Sequence, residues 1–549
     1  MAEHDLQNVA FPRLSESQMA SLGQCSHCKL KHYHDGESLF ASCTRAWNFY
    51  VIKSGTVEIV DESGDRPRTI VVHSSGQFTG EVGQLTASRA PVSAVARGVC
   101  EAYEISPDAL RQILNNHPAL GDLILQAFIA RRQLLREPGT FTGIRVIGSR
   151  YSADTFRIRD FFSKNRVLFT WLDLEADSQV QDLLAGFGVS QAETPVVAWG
   201  QRLLLRNPSN LELAEILGLR QPLEKTVYDL VVVGSGPAGL AAAVYGASEG
   251  LQTLVLERSG PGGQAGRSMR IENYLGFPTG ITGSELTDRA VVQANKFGAR
   301  LSVPTPATAL RFDNGYSALD LDGGETVTAK CVLIATGAEY RRLAAEGCER
   351  FEGRGVYYAA TPNEAPLCHG ETVIVVGGGN SAGQAAVYVS GLARKVYLLV
   401  RGDSLSQSMS SYLAQRIEQT SNIEIRLHTE VRRMQGDGHL GEVETVNKVT
   451  GATQALQAAA LFSFIGALPR TEWLPAEIER DGKGFVRTGP SLMLSGHWNG
   501  RRPPFLLETS RPGVFAAGDV RSGSVKRVAS AVGEGSMAVQ FVHEYLKEM

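Results

Sequence analysis

The chain has 549 residues, which is enough for about four domains of ordinary size. Its 54 lysines and arginines balance 57 aspartates and glutamates to a net charge of −3, so no broad basic field indicates nucleic acid or an anionic membrane as a partner. The N-terminus lacks a basic start with an apolar core, and no run of 18 apolar residues occurs, which predicts a cytoplasmic protein. Seven scattered cysteines do not form a disulfide framework.

Residues 1–138 are predicted to form a small β-roll closed by helices. Short strands are expected around FYVIKSGTVEIVD and RTIVVHSSGQF, followed by a helical end from Ser106 to Leu135. This order resembles a cyclic-nucleotide-binding domain, in which a turn and short helix hold the cyclic phosphate. The resemblance implies binding roles for Gly80 and Glu81, with Arg89 as the candidate phosphate ligand, although Arg89 lies earlier than the family spacing. The alternative is a domain retained for packing or for a different ligand.

The same segment contains a CxxC pair, Cys25-Ser-His-Cys28, with His32 and His34 close behind. Such a pair is either a redox dithiol or half of a zinc site. The nearby sequence supplies no second CxxC and no HxxxH. We therefore predict ordinary thiols and no metal site.

Residues 139–220 are predicted to form a second unit, in which strands and helices follow the order β-α-β-α-β-β-α. This order resembles the thioredoxin or glutaredoxin fold, whose bond corresponding to Thr194–Pro195 is usually cis. Active members of that fold carry CxxC where the first strand meets its helix, but Ser149 and Ser152 stand there in this chain. Because a serine hydroxyl cannot form a disulfide, we expect a structural or docking role.

Residues 227–257 carry the clearest motif, VYDLVVVGSGPAGLAAAVYGASEGLQTLVLE. A β-branched run predicts a strand buried on both faces, and Gly234, Gly236 and Gly239 follow at GxGxxG spacing. These glycines permit a tight turn, close approach of a pyrophosphate and close packing of the next helix. The phosphates would lie at the N-terminus of that helix, and Glu257 ends the second strand, where an acid binds the ribose hydroxyls.

After a short linker at 221–225, residues 227–549 resemble low-molecular-weight thioredoxin reductase. Gly262-Gly263-Gln264 and IENYLGFP match the family segments that wrap the flavin ring and its diphosphate, and RPGVFAAGDV places Asp519 at the ribityl chain. The resemblance implies an FAD-binding domain made of residues 227–340 and 467–549. Its predicted FAD-binding residues are Gly234, Gly236, Pro237, Ala238, Gly239, Glu257, Arg258, Gly262, Gly263, Gln264, Asn273, Thr336, Gly337, Gly518, Asp519, Lys526, Arg527 and Val528.

Residues 341–466 are predicted to form an inserted NAD(P)H-binding domain, because the strand, glycine turn, helix and strand of the opening motif recur there. NADPH-using relatives have two or more arginines for the 2′-phosphate, whereas this chain has Arg401 followed by Asp403. One guanidinium can bind a phosphate bidentately, so both NADPH and NADH stay open, with NADPH preferred. The predicted nicotinamide nucleotide residues are Gly377, Gly379, Asn380, Ser381, Ala382, Arg401, Ile465 and Gly466.

The redox pair of the resembled family is missing from this inserted domain. In thioredoxin reductase a CxxC preceded by GVxY takes the electrons of the flavin, but here GVYYAATP places Ala359 and Pro362 at the thiol positions. Disulfide exchange needs a thiolate, so this relay is absent at its usual position and no catalytic residue is assigned. Cys368 has no partner in the local sequence. Tyr357 and Tyr358 are candidates either to flank the flavin or to pack.

The predicted fold class is multidomain: a β-roll, an α/β thioredoxin-like unit and two Rossmann-like three-layer dinucleotide-binding domains. The leading hypothesis is an FAD-dependent oxidoreductase that takes hydride from NAD(P)H and reduces an unidentified acceptor, such as ferredoxin or a quinone, under regulation by a ligand of the β-roll. Two alternatives stay open: a disulfide reductase working through Cys25 and Cys28, and a cyclic-nucleotide or redox sensor with little turnover. The resemblance also implies a homodimer.

Overall fold

The computed structural model describes the chain with short gaps between its units. The described residues are 3–24, 28–44, 48–63, 66–80, 89–135, 143–176, 179–199, 203–220, 222–224, 226–496, 498, 500 and 502–549. Glu81 and Cys25, which the sequence singled out, lie outside them. Among the described helices, none is both long and apolar enough to cross a lipid bilayer.

The N-terminal unit is an antiparallel β-roll flanked by helices. Its strands pair in the order β1-β6-β3-β4, with β2 beside β6 and β5 beside β3. Phe49 and Phe78 of the sheet are buried with Leu110 and Phe128 of the closing helices. The elements are α1 (Glu3–Ala10), α2 (Glu16–Gln24), β1 (Cys28–Tyr33), β2 (Ser38–Phe40), β3 (Phe49–Asp61), β4 (Arg68–Ser74), β5 (Phe78–Thr79), β6 (Ser93–Ile105), α3 (Pro107–Asn116) and α4 (Pro118–Leu135).

The second unit has the predicted β-α-β-α-β-β-α order. Its sheet runs β10-β9-β7-β8, with β7 parallel to β8 and antiparallel to β9. The Thr194–Pro195 bond is cis, as expected. The elements are β7 (Ile144–Ile147), α5 (Ala153–Lys164), β8 (Phe169–Leu172), α6 (Gln179–Gly186), a 3₁₀ helix (Gln191–Glu193), β9 (Val196–Trp199), β10 (Leu203–Arg206) and α7 (Asn210–Leu217).

The flavin unit begins with a sheet ordered β13-β12-β11-β16-β15-β14. Its central strand is buried on both faces, as its β-branched sequence predicted: Leu230 and Val232 face the helices, and Val231 and Val233 face the opposite layer. The elements are β11 (Val227–Val233), α8 (Pro237–Ser248), β12 (Thr253–Leu256), a 3₁₀ helix (Ala265–Arg267), α9 (Gly283–Phe297), β13 (Arg300–Ser302), β14 (Ala307–Asp313), β15 (Tyr316–Leu321) and β16 (Thr326–Ile334).

The inserted domain is bounded by two short antiparallel strands, β17 (Ala338–Tyr340) and β26 (Ala467–Pro469). It contains a parallel sheet ordered β18-β25-β19-β20-β21 and an antiparallel sheet ordered β22-β23-β24. Its other elements are α10 (Cys348–Phe351), β18 (Val356–Tyr357), α11 (Ala365–Cys368), β19 (Thr372–Val376), α12 (Asn380–Ser390), β20 (Lys395–Leu399), α13 (Ser411–Gln419), β21 (Ile423–Arg426), β22 (Thr429–Gln435), β23 (Glu442–Asn447), β24 (Thr453–Gln457) and β25 (Ala460–Ser463).

The chain then returns to complete the flavin unit. It forms α14 (Ser491–Ser495), β27 (Val514–Ala516), a 3₁₀ helix (Gly518–Val520) and α15 (Val528–Leu546). β27 joins the sheet parallel to β16, and α15 packs closely on α8. We keep the exact boundaries at 138, 220, 340 and 466 as a proposal.

Candidate functional site

The first glycine turn is shaped by contacts that admit no side chain. Gly234 has a φ of +104°, and a Cβ there would lie 2.4 Å from the Ala335 carbonyl oxygen. A Cβ on Gly239 would lie 1.9 Å from the Gly234 oxygen. Gly236 caps the N-terminus of α8, whose first amides have no partner within the helix by geometry. The turn therefore presents backbone donors and the positive end of a helix dipole to a bound anion.

A second loop faces this turn and completes a cradle. The Gly262 amide donates to the Ser235 carbonyl over 2.8 Å. Gly263 has a φ of +55°, and a Cβ on it would lie 3.0 Å from the Gly236 Cα. Two backbones thus approach each other without intervening side chains, which fits the diphosphate of a dinucleotide.

Glu257 is buried behind the turn with protein partners on both carboxylate oxygens. One oxygen accepts from the amide and hydroxyl of Ser235 at 2.9 and 2.7 Å, and the other accepts from the amides of Ser259 and Gly260 at 2.9 and 3.3 Å. A carboxylate offers about four lone-pair sites, so these contacts employ its full capacity. In this structure Glu257 organises the cradle, and its contact with a ribose stays a prediction.

The C-terminal part of the flavin unit brings a carboxyl group and a helix start to the same site. The Gly518 amide donates to Glu534 over 2.7 Å, and Gly518 lies against Ala238 of α8. The neighbouring Asp519 is half-buried, and burial raises the pKa of its carboxyl group while Lys526 opposes that rise. Arg527 caps α15, and the neighbouring Lys526 ammonium donates to the Asp519 carbonyl over 3.1 Å, so the N-terminus of that helix lies near Asp519.

The remaining predicted flavin residues lie around this cradle with different exposures. The Thr336 hydroxyl donates to the Arg470 carbonyl over 2.8 Å, and Gly337 has a φ of +65°. Asn273 and Arg258 are exposed. Pro237 and Ala238 open α8, Val528 opens α15, and Gln264 precedes the 3₁₀ helix at 265–267. This set fits FAD, and the individual contacts remain predictions.

The glycine turn of the inserted domain repeats the geometry of the first. Gly377 has a φ of +140°, and a Cβ there would lie 2.6 Å from the Phe464 carbonyl oxygen and 3.1 Å from Ala382. Gly379 caps α12, and a Cβ on Gly379 would meet no described atom within 4 Å. Open space thus lies before the amides at the start of α12. A second dinucleotide fits there.

Polar side chains edge this second turn. The Asn380 side chain accepts from the Ser410 amide over 2.8 Å, which fixes the loop after β20 near the start of α12. Arg401 is exposed on that loop, and Asp403 accepts from Gln407 over 2.6 Å. The guanidinium of Arg401 is therefore accessible to a phosphate. At the other side of the turn, Ile465 is about one-third exposed and Gly466 has a φ of +98°.

Two contacts join the pockets. The Tyr340 hydroxyl lies 2.9 Å from the Ser381 hydroxyl at the start of α12. Arg416 of α13 pairs with Glu272 over 3.1 Å, next to the predicted flavin residue Asn273. These contacts hold the inserted domain beside the flavin unit.

The segment at the expected thiol positions carries no sulfur. Ala359 is buried and Pro362 is exposed. Tyr357 is buried between Phe156 and Phe462, and the Tyr358 hydroxyl donates to Glu352, so both tyrosines pack here. Among the described residues, Cys100, Cys331, Cys348 and Cys368 are buried free thiols.

A buried acid near this segment was not anticipated from the sequence. Glu364 is 2% exposed, and its carboxylate accepts from the amide and hydroxyl of Thr361 at 2.7 and 2.6 Å. Burial raises the pKa of Glu364 to about 7, while the Thr361 hydrogen bonds and Arg267 oppose the rise. The stretch TPNEAPLC has no spacing that distinguishes a buried acid from a solvated one.

The predicted sites in the β-roll are only partly described. Gly80 has a φ of +94°, and a Cβ there would lie 2.4 Å from the Asn48 carbonyl oxygen. Arg89 donates to the Cys43 carbonyl over 3.1 Å, and its amide donates to Leu217 of the second unit over 3.0 Å. The Arg89 side chain thus bonds within the β-roll, and its backbone amide contacts the thioredoxin-like unit. No group of three metal-binding side chains occurs among the described residues.

Comparison with family models places this geometry among known proteins. Residues 228–535, more than half of the chain, match the model described as pyridine nucleotide-disulphide oxidoreductase. The chain belongs to the pyridine nucleotide-disulphide oxidoreductase family. Residues 30–117 match the model of the cyclic nucleotide-binding domain, which confirms the predicted relationship of the β-roll.

Members of this family with similar sequences are thioredoxin reductases. That of Bacillus subtilis (strain 168) is 33% identical over 327 residues, which cover 59% of this chain and 97% of the relative. That of Treponema pallidum (strain Nichols) is 33% identical over 322 residues, covering 59% and 98%.

Solved thioredoxin reductases resemble the chain in fold as well. The Lactococcus lactis enzyme in the FR conformation has a TM-score of 0.53 at 29% identity, covering 59% of this chain and 100% of that one. The T. acidophilum enzyme has a TM-score of 0.52 at 29% identity, covering 58% and 98%. This family member is therefore an oxidoreductase of thioredoxin reductase type that uses FAD and a nicotinamide nucleotide. The sequence prediction of fold class, cofactors and enzyme class is confirmed.

Proposed function

We propose that this chain oxidises NAD(P)H and passes the electrons to an acceptor other than a redox disulfide of its own. The observation that carries the proposal is the pair Ala359 and Pro362 at the positions where thioredoxin reductases carry their thiols. Neither side chain can form a thiolate, and disulfide exchange begins with a thiolate. The two glycine cradles supply everything that hydride transfer requires of the protein, because the cofactors carry that chemistry.

The protein's own residues bind and align the two nucleotides. The amides at the starts of α8 and α12 neutralise the diphosphates, and the backbone around Gly518 fixes the half-buried Asp519 for the ribityl chain. The Tyr340–Ser381 contact and the Arg416–Glu272 pair keep the pockets adjacent. The chemistry that bound FAD would supply at this site is acceptance of a hydride from NAD(P)H and release of electrons one or two at a time.

The acceptor is proposed to be a ferredoxin, a quinone or another diffusible oxidant. With ferricyanide as a probe, one NADPH reduces two ferricyanide ions and yields NADP⁺ and one proton, so electrons balance. We propose mixing the FAD-loaded enzyme anaerobically with NADPH or NADH in a stopped-flow instrument, followed by ferricyanide, a quinone, ferredoxin or a disulfide protein. Bleaching of the flavin band with reoxidation by a non-disulfide acceptor is the expected result.

Two other outcomes of that experiment contradict the proposal. If neither nucleotide bleaches the flavin, the chain is instead a sensor with little turnover. If a disulfide protein is reduced efficiently and replacement of both Cys25 and Cys28 by serine abolishes that reduction, the chain is a disulfide reductase of a new arrangement. Cys28 lies at the start of β1 and is half-buried.

We further propose that the β-roll binds a cyclic nucleotide that tunes this activity. The family match over residues 30–117 and the left-handed backbone conformation at Gly80, which favours glycine, support the proposal. Isothermal titration with cAMP and cGMP, followed by turnover assays with the same nucleotides, tests it.

A homodimer through the flavin domains is proposed by resemblance, and light scattering checks that state.

A further inference from the structure

Helix α5 of the thioredoxin-like unit lies between the two dinucleotide-binding domains. Towards the inserted domain, the Arg159 guanidinium donates to the Asn363 carbonyl over 2.9 Å, and the Ser163 hydroxyl donates to the Asn363 side chain over 3.1 Å. The Phe156 ring packs on Tyr357 with centroids 4.9 Å apart. These partners belong to the segment 357–368, which contains the two lost thiol positions.

The next residues of the same helix contact the flavin unit. Asp160 pairs with Arg267 over 2.8 Å, directly after the predicted flavin-wrapping loop. Beyond the end of the helix, the Asn165 side chain donates to the Ser259 carbonyl over 2.7 Å, and Arg166 pairs with Asp288 of α9. Consecutive residues of one helix therefore bind different domains.

The contacts are buried and charged, which makes their separation unfavourable. Arg159 is 6% exposed, its guanidinium lies 3.6 Å from the centre of the Trp171 ring, and it interacts electrostatically with Glu364. Glu364 in turn interacts with Arg267. Separating the units would leave these charges without the partners that compensate their loss of water.

The end of the unit that carries the dithiol in active thioredoxins contacts the same segment and a second loop of the inserted domain. Arg150, between the two serines, is directed at the Pro366 carbonyl over 3.4 Å, and the Tyr151 ring stacks on His439 at 4.1 Å. A separate thioredoxin-fold protein would have to displace this unit to reach the segment in the same way.

We propose that the thioredoxin-like unit is a built-in brace, in which Arg159 and Asp160 of α5 are positioning residues that hold segment 357–368 and the flavin-wrapping loop in one arrangement during turnover. The proposal rests on the proposed function, because it concerns the same reaction. It gives the degenerate unit a role that needs no thiol. It also implies that the acceptor approaches elsewhere than at segment 357–368.

Engineered cross-links test the brace in the full-length, FAD-loaded protein. A Cβ on Gly353 would lie 3.2 Å from the Ala153 Cβ, and a Cβ on Gly260 would lie 2.6 Å from the Lys164 Cβ. Ala153→Cys with Gly353→Cys would tie α5 to the inserted domain, and Lys164→Cys with Gly260→Cys would tie it to the flavin unit, after small shifts to disulfide distances. The single variants Gly353→Cys and Gly260→Cys are the matched controls.

The expected result is that both cross-links form and that NADPH:ferricyanide turnover stays within about twofold of the reduced state of the same variant. The brace is contradicted if either disulfide fails to form in a folded variant. It is also contradicted if a cross-link lowers NADPH:ferricyanide turnover tenfold or more and a phosphine reductant restores that turnover. Failure of the proposed function is recognised separately, because the unmodified protein would then show no flavin bleaching by either nucleotide.

A second test separates positioning from mere structural support. In Asp160→Asn, the rate of flavin bleaching by NADPH should fall about tenfold, with FAD content and the Kd of NADPH unchanged. Asp154→Asn on the same helix, where the pair with Arg157 is partly exposed and, among the described residues, forms hydrogen bonds to neither dinucleotide-binding domain, is the control and should keep the parental rate. Restoration of the rate in the charge-swapped Asp160→Arg, Arg267→Asp double variant supports the brace. An unchanged rate in Asp160→Asn contradicts it.

Discussion

The flavin and nicotinamide pockets use the same turn and helix start but differ in how tightly protein closes around them. At the flavin turn, a Cβ on Gly236 would lie 3.9 Å from the Gly263 Cα of the facing loop, and Gly535 of α15 meets the Ala238 carbonyl oxygen. At the nicotinamide turn, Gly379 faces open space and Arg401 is exposed. The difference indicates a resident FAD and an exchanging nicotinamide nucleotide on two copies of one motif.

The largest effect on cofactor binding is expected from a substitution where α15 packs on α8. A Cβ on Gly535 would lie 2.1 Å from the Ala238 oxygen, whereas a Cβ on Gly533 of the same helix would meet no described atom within 4 Å. Gly535→Ala should therefore separate the helices and yield protein with little or no bound FAD, because overpacking here displaces the cradle. Gly533→Ala is the control and should be neutral or slightly stabilising. Flavin absorbance per protein checks both, and full FAD content in Gly535→Ala would contradict the tight closure.

At the nicotinamide turn, a glycine-to-alanine substitution should weaken nucleotide binding without affecting folding. Gly379→Ala places a methyl group where the diphosphate of the nicotinamide nucleotide is expected, so KM should rise by about thirtyfold, or roughly 2 kcal/mol. FAD content and Tm should stay near those of the parent. The proposed difference between the flavin and nicotinamide pockets is contradicted if Gly379→Ala loses FAD or leaves KM unchanged for both nucleotides.

Replacement of Arg401 tests whether the nicotinamide pocket recognises the 2′-phosphate of NADPH. Removal of a charge-assisted hydrogen bond to the 2′-phosphate by Arg401→Ala should raise KM for NADPH about tenfold, while KM for NADH stays constant. Steady-state assays with both nucleotides give this ratio. Arg341→Ala is the control, because Arg341 lies at the entrance to the inserted domain and is exposed like Arg401. Equal effects on NADPH and NADH would remove Arg401 from the phosphate site.

The smallest effect on either pocket is expected from Glu364→Gln, which removes an ionisable carboxyl group between the flavin and nicotinamide domains. Because burial raises the pKa of Glu364 from 4.5 to about 7, its ionisation should destabilise the native state progressively as pH rises through that interval. Arg159, Arg267 and Asp160 face this carboxyl group in the brace. Thermal unfolding from pH 4.5 to 7.5 should show a shallower decline in the variant. Parallel curves for variant and parent would contradict the assignment.

The sequence predicted the repeated motif well because its strand, glycine turn, helix and second strand are contiguous. Spacing identifies Gly234 and Gly377, although the backbone atoms that exclude a side chain there belong to Ala335 and Phe464, which are distant in sequence. The two lost thiol pairs were also visible, since Ser149 and Ala359 occupy recognisable places. The α5 brace was not predictable, because Asp160 and Arg267 lie 107 residues apart and Arg159 and Asn363 lie 204 apart. Nor could spacing reveal that Glu257 would find four protein donors.

The central claim, that reduced flavin has no cystine to which it can pass electrons, is tested most directly by counting electrons. Anaerobic titration of the FAD-loaded protein with dithionite should reach full reduction after two electrons per bound FAD, with no lag before the flavin band bleaches. Consumption of four electrons per FAD, with loss of the second pair after replacement of Cys25 and Cys28 by serine, would show that a redox disulfide participates. That result would contradict the account.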